Sequence, residues 1–336
     1  MTRIKNKKQM LTNSITDIPG ILVGQAQDNV ALTGCTVVLC LNGAVAGVDQ
    51  RGGAPGTRET DALRPMHLVE KIHAVVLSGG SAFGLDASSG VMKFLEEKKA
   101  GYDTGIVRVP IVSSAVIFDL GIGDPKKRPD AAMGYEACLN ASTARPAEGN
   151  FGAGTGATVG KILGMRFAMK SGIGTASEDI GSGIRVGAIT VVNALGDVID
   201  PDKNEIIAGV QAPLSKLNKV NKSRTMALME SFVGRTSFKA AARQNTVIGV
   251  VATNASLSKE EANKVAQMAH NGIARTIRPA HTMMDGDTIF VLATGKKSAD
   301  VSVIGAFAAE VVEKSIVSAV ESADPVMGFK SYKQLH

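Results

Sequence analysis

A layered α/β sandwich is the fold class that this sequence predicts. Short apolar runs bounded by Gly, Asn or Asp read as buried strands, and longer stretches with apolar residues three and four apart read as helices. The two kinds of element are mixed without the regular alternation of a doubly wound fold. Aromatic residues make up only 4% of the chain, Trp is absent and Gly reaches 37 residues, so layers must pack through Val, Ile, Leu, Ala and close backbone approach.

The strands are Cys35 to Cys40, Ala44 to Val48, Ala74 to Leu77, Gly187 to Val192, Thr246 to Thr253 and Thr288 to Ala293. Three helices are readable. The first runs from about Phe83 to Lys98, with Phe83, Ala87, Val91 and Leu95 at near-helical spacing. The second begins at Ser258, where Ser258 and Glu261 form a capping box and Leu257 can staple against Ala262; its apolar face is Ala262, Val265, Ala266, Ala269 and Ile273. The third, Val301 to Val320, is apolar nearly all round, which implies burial between layers, and it stops before Pro325. Between these elements, Pro201 to Asn245 holds eight Lys or Arg against three Asp or Glu with little strand pattern. That segment is the natural place for a boundary, an excursion or a cut.

With 336 residues, 44% of them hydrophobic, the chain can bury a sizeable core as one large domain or two ordinary ones. The formal charge of +6 gathers at Arg3, Lys5, Lys7 and Lys8 and between Lys203 and Arg243. Neither cluster has interleaved aromatics or a reader motif, which argues against a nucleic-acid partner. Cys35, Cys40 and Cys138 lack metal-ligand spacing and read as buried thiols, so no metal is expected. No segment has the roughly 18 uninterrupted apolar residues of a membrane span, and no secretory pattern follows the basic N-terminus. A cytoplasmic protein with no membrane partner is the expectation.

Several loops could carry chemistry. GNFGAGTGATVGK, from Gly149 to Lys161, fails the Walker pattern, because Thr155 stands where a Gly is needed and Ile162 where Ser or Thr would bind magnesium. It reads either as a loop whose amides, among them those of Gly152 and Gly154, line a site beside Lys161, or as a tight turn. GGSAFG, from Gly79, leads from a strand into a helix, but its second Gly comes one residue late for a nucleophile elbow. No His has an evident partner, and only His281 lies in a loop, so a Ser-His-Asp hydrolase is not indicated. HTMMDGDT, from His281, carries two acids in a turn before a strand; they could hold a nucleophile and its amine, or be solvated. In RQNTVIGVVATN, from Arg243, Asn245 reads locally as a turn residue and Thr246 as a strand starter.

Taken together, RGGAPGTRETD from Arg51, LSGGSAFGLDA from Leu77, GAGTGATVGK, VVNALGDVIDP from Val191 and the long run ATNASLSKEEANKVAQMAHNGIARTIRPAHTMMDGDTIFVLATG from Ala252 resemble peptidase family S58 in order and spacing. The resemblance spans about residues 15 to 325. It implies a four-layer α/β/β/α sandwich of N-terminal-nucleophile-hydrolase type, one hydrolase domain over residues 1–336, made as a precursor that cuts itself. The cut matches the Asn245–Thr246 bond, giving an α chain of residues 1–245 and a β chain of 246–336 that starts on its nucleophile, Thr246. The resemblance also implies that Asn193 stabilises the oxyanion, that Asp285 and Asp287 orient nucleophile and amine, and that Lys161 lines the site.

The activity implied is hydrolysis of a small peptide-like or linear amide substrate through an acyl-enzyme, with no cofactor, in a homo-oligomer, a tetramer of αβ units. Thr246 with Asp-Gly-Asp looks closer to the nylon-oligomer hydrolase branch than to the aminopeptidases, which carry Ser with a Ser/Glu pair. Val116 and Phe118 stand where those aminopeptidases have an acid and a Tyr; Phe118, Gly152 and Gly154 are the expected pocket residues. Acyl transfer of ornithine acetyltransferase type and a non-cleaving ligand-binding homologue are the alternatives.

Overall fold

The computed structural model describes residues 11–211, 224–231 and 245–335. The basic N-terminal cluster Arg3 to Lys8, most of the basic stretch before Asn245, and His336 lie outside the described residues.

Strands of four or more residues are numbered in chain order: β1 Leu22–Asp28, β2 Thr33–Gln50, β3 Lys71–Ser78, β4 Val112–Val116, β5 Ile173–Asp179, β6 Arg185–Asn193, β7 Asp197–Asp200, β8 Glu205–Ala208, β9 Thr246–Ala255 and β10 Thr288–Lys297. The long helices are α1 Ala87–Glu97, α2 Ala131–Leu139, α3 Lys259–Thr276 and α4 Val301–Glu321. One hydrogen-bonded path runs β5-β6-β9-β10-β2-β3-β4 and ends on Thr57–Arg58, with β1 added on β2.

That path forms two layers because β2 belongs to both. Its first half pairs with β1 and β3, its second half with β10, and the register shifts between Leu39 and Ala44. Alternate side chains of each strand then reach different cores. Ala74 and Val76 of β3 pack with Val91 and Leu95 of α1, while Val75 and Leu77 meet Ile248, Val250, Phe290 and Leu292 of the opposite layer. On the far side Val247, Val251, Ile289 and Val291 pack against Ala262, Val265, Ile304 and Val312 of α3 and α4. Four layers result, α/β/β/α. The strand runs are continuously apolar because both faces of each sheet are buried.

Several expectations need correction. Cys35–Cys40 and Ala44–Val48 are one 18-residue strand whose register against β3 shifts between Leu39 and Ala44, with Gly43 at φ +74°. SSAVIFD, from Ser113, would read as a loop by its serines, but up to Val116 it belongs to the parallel strand β4. Phe83 is 60% exposed in a 3₁₀ turn, Ser81–Asp86, that precedes α1, where it stacks under the Arg128 guanidinium at 3.9 Å. Within Pro201 to Asn245, β8 and a short helix, Arg224–Met229, are ordered. α4 lies in an outer layer rather than between layers: β5 and β6 cover one face and α3 a second, while Val303 and Ala306 remain exposed.

Glycine allows the closest helix contact. A Cβ on Gly90 of α1 would stand 1.7 Å from the Ala131 carbonyl oxygen of α2, a distance no side chain tolerates. The capping box of α3 forms as its sequence predicts, Ser258 accepting from the Glu261 amide at 3.2 Å and Glu261 from the Ser258 amide at 2.8 Å. All three cysteines are free and buried, and burial pushes the Cys40 and Cys138 thiols up to about 12. Among the described residues, no helix is long and apolar enough to cross a membrane.

Candidate active site

Strand register brings the predicted residues to one place. β6 and β9 run antiparallel with Asn193 directly opposite Thr246, and β9 runs parallel to β10 with Ile248 beside Thr288. Asp287, the residue before β10, therefore lies next to the start of β9, and Asn245 forms a bridge with Asp285. Asn193, Asn245, Thr246, Asp285, Asp287 and Lys161 are each at most 5% exposed.

At the Asn245–Thr246 junction the Asn245 carbonyl oxygen accepts the Gly286 amide at 3.1 Å and the adjacent Thr246 hydroxyl. Only a glycine fits at 286, since a Cβ there would come 2.9 Å from Thr246 Oγ1 and 2.8 Å from the Ala54 carbonyl oxygen. Both amide atoms of the Asn245 side chain are buried without a hydrogen-bond partner among the described residues.

Two carboxylates frame this junction. Asp287 Oδ1 accepts the Val247 amide at 2.7 Å, while its Oδ2 accepts the His281 amide at 3.1 Å and meets His281 Nδ1 at 2.7 Å. Asp285 Oδ2 accepts the Thr282 amide at 2.7 Å. Burial and the neighbouring Asp287 charge raise Asp285 from 3.8 to about 6, with Lys161 and the Thr282 hydrogen bonds opposing.

Lys161 reaches the other side of the cluster. Its ammonium donates to Asn193 Oδ1 at 2.8 Å and to the Asn193 carbonyl at 2.9 Å, and the Thr158 amide also donates to Oδ1 at 3.1 Å. These donors fix the Asn193 amide flip, so Nδ2 points the opposite way and donates to the Phe118 carbonyl at 3.0 Å. Burial lowers the Lys161 pKa from 10.5 to about 7, partly offset by the charges of Asp285 and Asp119. The amine is therefore a base within reach of neutral pH.

The glycine loop packs tightly while carrying two residues to the cluster. Gly152 and Gly154 are both buried against β2 and β5, and their amides donate to Gln27 Oε1 at 3.0 Å and to the Phe151 carbonyl at 2.8 Å. The loop delivers Thr158 and Lys161 to Asn193. A second buried lysine, Lys170, fastens it by donating to the carbonyls of Gly154 and Ala157, each at 3.0 Å, and of Ser171. Phe118, half-buried, contributes its carbonyl. Asp119, the next residue, accepts Thr33 Oγ1 at 2.7 Å and the Gly80 amide at 2.6 Å, tying the GGSAFG turn to β2.

Two participants escape sequence reasoning. Gly286 acts through a backbone amide, which leaves no side-chain signature. His281, which shows no partner in the sequence, is bonded to Asp287 six residues on; its loop position beside an acid pair was the available signal. Among the described residues, no His, Cys, Asp or Glu cluster could hold a metal ion.

The model of the peptidase family S58 matches residues 13–334. An uncharacterized aminopeptidase of Mycobacterium tuberculosis is 41% identical, covering 96% of this chain and 98% of that protein. A 6-aminohexanoate-oligomer endohydrolase of Paenarthrobacter ureafaciens is 31% identical over 90% of this chain and 84% of its own. Among solved structures, the L-aminopeptidase D-Ala-esterase/amidase of Ochrobactrum anthropi, described as a variant of the Ntn hydrolase fold, superposes with a TM-score of 0.70 at 20% identity, covering 96% and 92% of the two chains. At that identity the likeness speaks for the fold alone.

Proposed function

The chain belongs to peptidase family S58 and is a hydrolase acting on amide bonds, and from that premise we propose that it cuts itself between Asn245 and Thr246 and then uses Thr246 as an N-terminal nucleophile. The observation that carries this reading is the Asn245 carbonyl, buried, with the Thr246 hydroxyl against it and the Gly286 amide already on its oxygen.

In the precursor the Thr246 hydroxyl oxygen attacks the Asn245 carbonyl carbon and gives up its proton to a base, for which Lys161, with a pKa near 7, is the candidate. The Gly286 amide stabilises the developing oxyanion, joined by Asn193 once its Nδ2 turns from the Phe118 carbonyl, an interaction typically worth about 3 kcal/mol per donor. The C–N bond breaks, the nitrogen takes a proton, and an ester joins Asn245 to Thr246 Oγ1. Water then hydrolyses the ester and leaves the Asn245 carboxylate and the free Thr246 amine. Release of Asn245 also removes a buried, unsatisfied amide, a burden of about 1–3 kcal/mol on the uncut chain. Chains of residues 1–245 and 246–336 result.

The freed α-amine, with a pKa of about 8, serves as the base for its own hydroxyl in turnover. Asp287 holds the Val247 amide, and Asp285 is assigned to the new amine. Neither Val116 nor Phe118 offers a carboxylate, and Asp119 is engaged by Thr33 and Gly80. No acid there awaits a substrate's free amino group, which favours linear amide substrates over strict aminopeptidase action. The αβ units are proposed to assemble as a homo-oligomer, a tetramer, which light scattering of the processed protein tests.

Denaturing mass spectrometry decides the central claim. Fragments beginning at Thr246 are expected from the wild type and none from Thr246→Ala; an intact wild-type chain overturns self-processing. Release of amine from linear amide oligomers, β-peptides and p-nitroanilides then ranks the substrates.

A further inference from the structure

We propose that His281 is a positioning residue for the Thr246 nucleophile, acting through Asp287; the proposal rests on the assignment of Thr246 above. Asp287 links the two by side-chain hydrogen bonds. Its Oδ1 takes the amide of Val247, the residue directly after Thr246, at 2.7 Å. Its Oδ2 is gripped twice by His281, through the backbone amide at 3.1 Å and through Nδ1 at 2.7 Å. An ionised carboxylate can only accept, so Nδ1 carries the proton and donates.

The backbone of His281 is held where few residues go. Its φ is +58°, in the left-handed region that non-glycine residues disfavour. In that conformation its own N–H and its ring nitrogen converge on one oxygen, a geometry that ties the observed strain to the carboxylate. The ring is braced from behind by His270 of α3, edge-on at 4.9 Å between centroids, and His270 Nε2 is itself hydrogen-bonded to the Asp49 carbonyl at 3.0 Å. A rigid path thus runs from α3 through His270, His281 and Asp287 to the first amide beyond the nucleophile. Such a path sets where Thr246 Oγ1 stands relative to its target without touching substrate.

Substitutions separate the donor from the backbone. His281→Gly accepts the left-handed φ but loses the Nδ1 donor; His281→Asn also tolerates that φ and returns an N–H at nearly the Nδ1 position. The expected result is that His281→Gly slows both self-cleavage and kcat on an amide substrate by about tenfold to a hundredfold, with KM within about twofold, and that His281→Asn restores most of the loss. Equal rates in the two variants, whether both normal or both slow, overturn the proposal. Thr246→Ala run alongside keeps the two readings apart. If it stays whole while His281→Gly behaves as wild type, only the positioning role falls; if it is cut normally, the nucleophile assignment falls first.

Discussion

The amide of Gly286 is hydrogen-bonded to the carbonyl oxygen of Asn245 at 3.1 Å, across a bridge that joins the loop before β10 to the first residue ahead of β9. A peptide carbonyl polarised in this way, with a hydroxyl on the next residue, is the bond that the proposed self-cleavage would break.

Gly286→Ala is expected to block processing. Its methyl group would enter within 2.9 Å of Thr246 Oγ1 and 2.8 Å of the Ala54 carbonyl oxygen, displacing the amide from Asn245. Loss of one such donor slows reactions by about 10² to 10³. Mass spectrometry should find the uncut chain accumulating, and normal cleavage would remove the Gly286 amide from the mechanism.

Asn193→Ala is expected to lower both stability and rate. It leaves the Thr158 amide and part of the Lys161 ammonium without their Oδ1 acceptor in a fully buried place. Unfolding free energy should fall by about 1–3 kcal/mol, measured by urea titration, with cleavage slowed by a further factor of about 10². A variant as stable as wild type would show that neighbouring groups re-satisfy those donors.

Lys161 sets a pH signature. Its folded pKa near 7 lies below the ordinary 10.5, so between those values the unfolded chain holds a proton that the folded chain has lost, and stability rises with pH from about 7 to about 10.5. Asp285, raised from 3.8 to about 6, acts oppositely: the folded chain holds the extra proton, and stability falls as pH climbs from about 4 to about 6. Lys161→Met should abolish the alkaline rise and keep the acid trend in a plot of Tm against pH. It should also erase a midpoint near pH 7 in the cleavage rate; persistence of that midpoint would assign the base elsewhere.

Gly90→Ala tests the backbone packing of α1 on α2. With the Ala131 carbonyl oxygen 1.7 Å from the new Cβ, the helices must part, at a cost of about 1–3 kcal/mol. Tm should drop by several degrees, as seen by calorimetry. An unchanged Tm would mean that α2 can shift without loss.

Much of the fold is legible because burial on both faces makes a strand apolar throughout. β9 and β10 announce themselves that way, and the capping box at Ser258 marks the start of α3 to the residue. β1, β4 and β5 escape because Gln, Ser and Thr interrupt their runs, although several of those polar groups find partners in the folded chain, such as Thr175 Oγ1 on the Ala188 carbonyl at 2.7 Å and Ser113 Oγ on the Glu59 carbonyl at 2.9 Å. The aromatic-poor, glycine-rich composition foretold close backbone approach, but not that Gly90 of α1 would make it against α2.

The sequence by itself determined the family, the longest apolar strands, helices α3 and α4, and Asn193, Lys161, Asp285 and Asp287 as candidates around Asn245 and Thr246, since motif spacing and hydrophobic period are local properties of a chain. Only the tertiary structure decided that Asn193 stands opposite Thr246, that Lys161 is dry and shifted toward neutral pH, that Gly152 and Gly154 serve packing, and that Gly286 and His281 join the cluster. Register between β6 and β9, and the desolvation that moves a pKa, arise from layers closing over one another, and no stretch of sequence carries that closure alone.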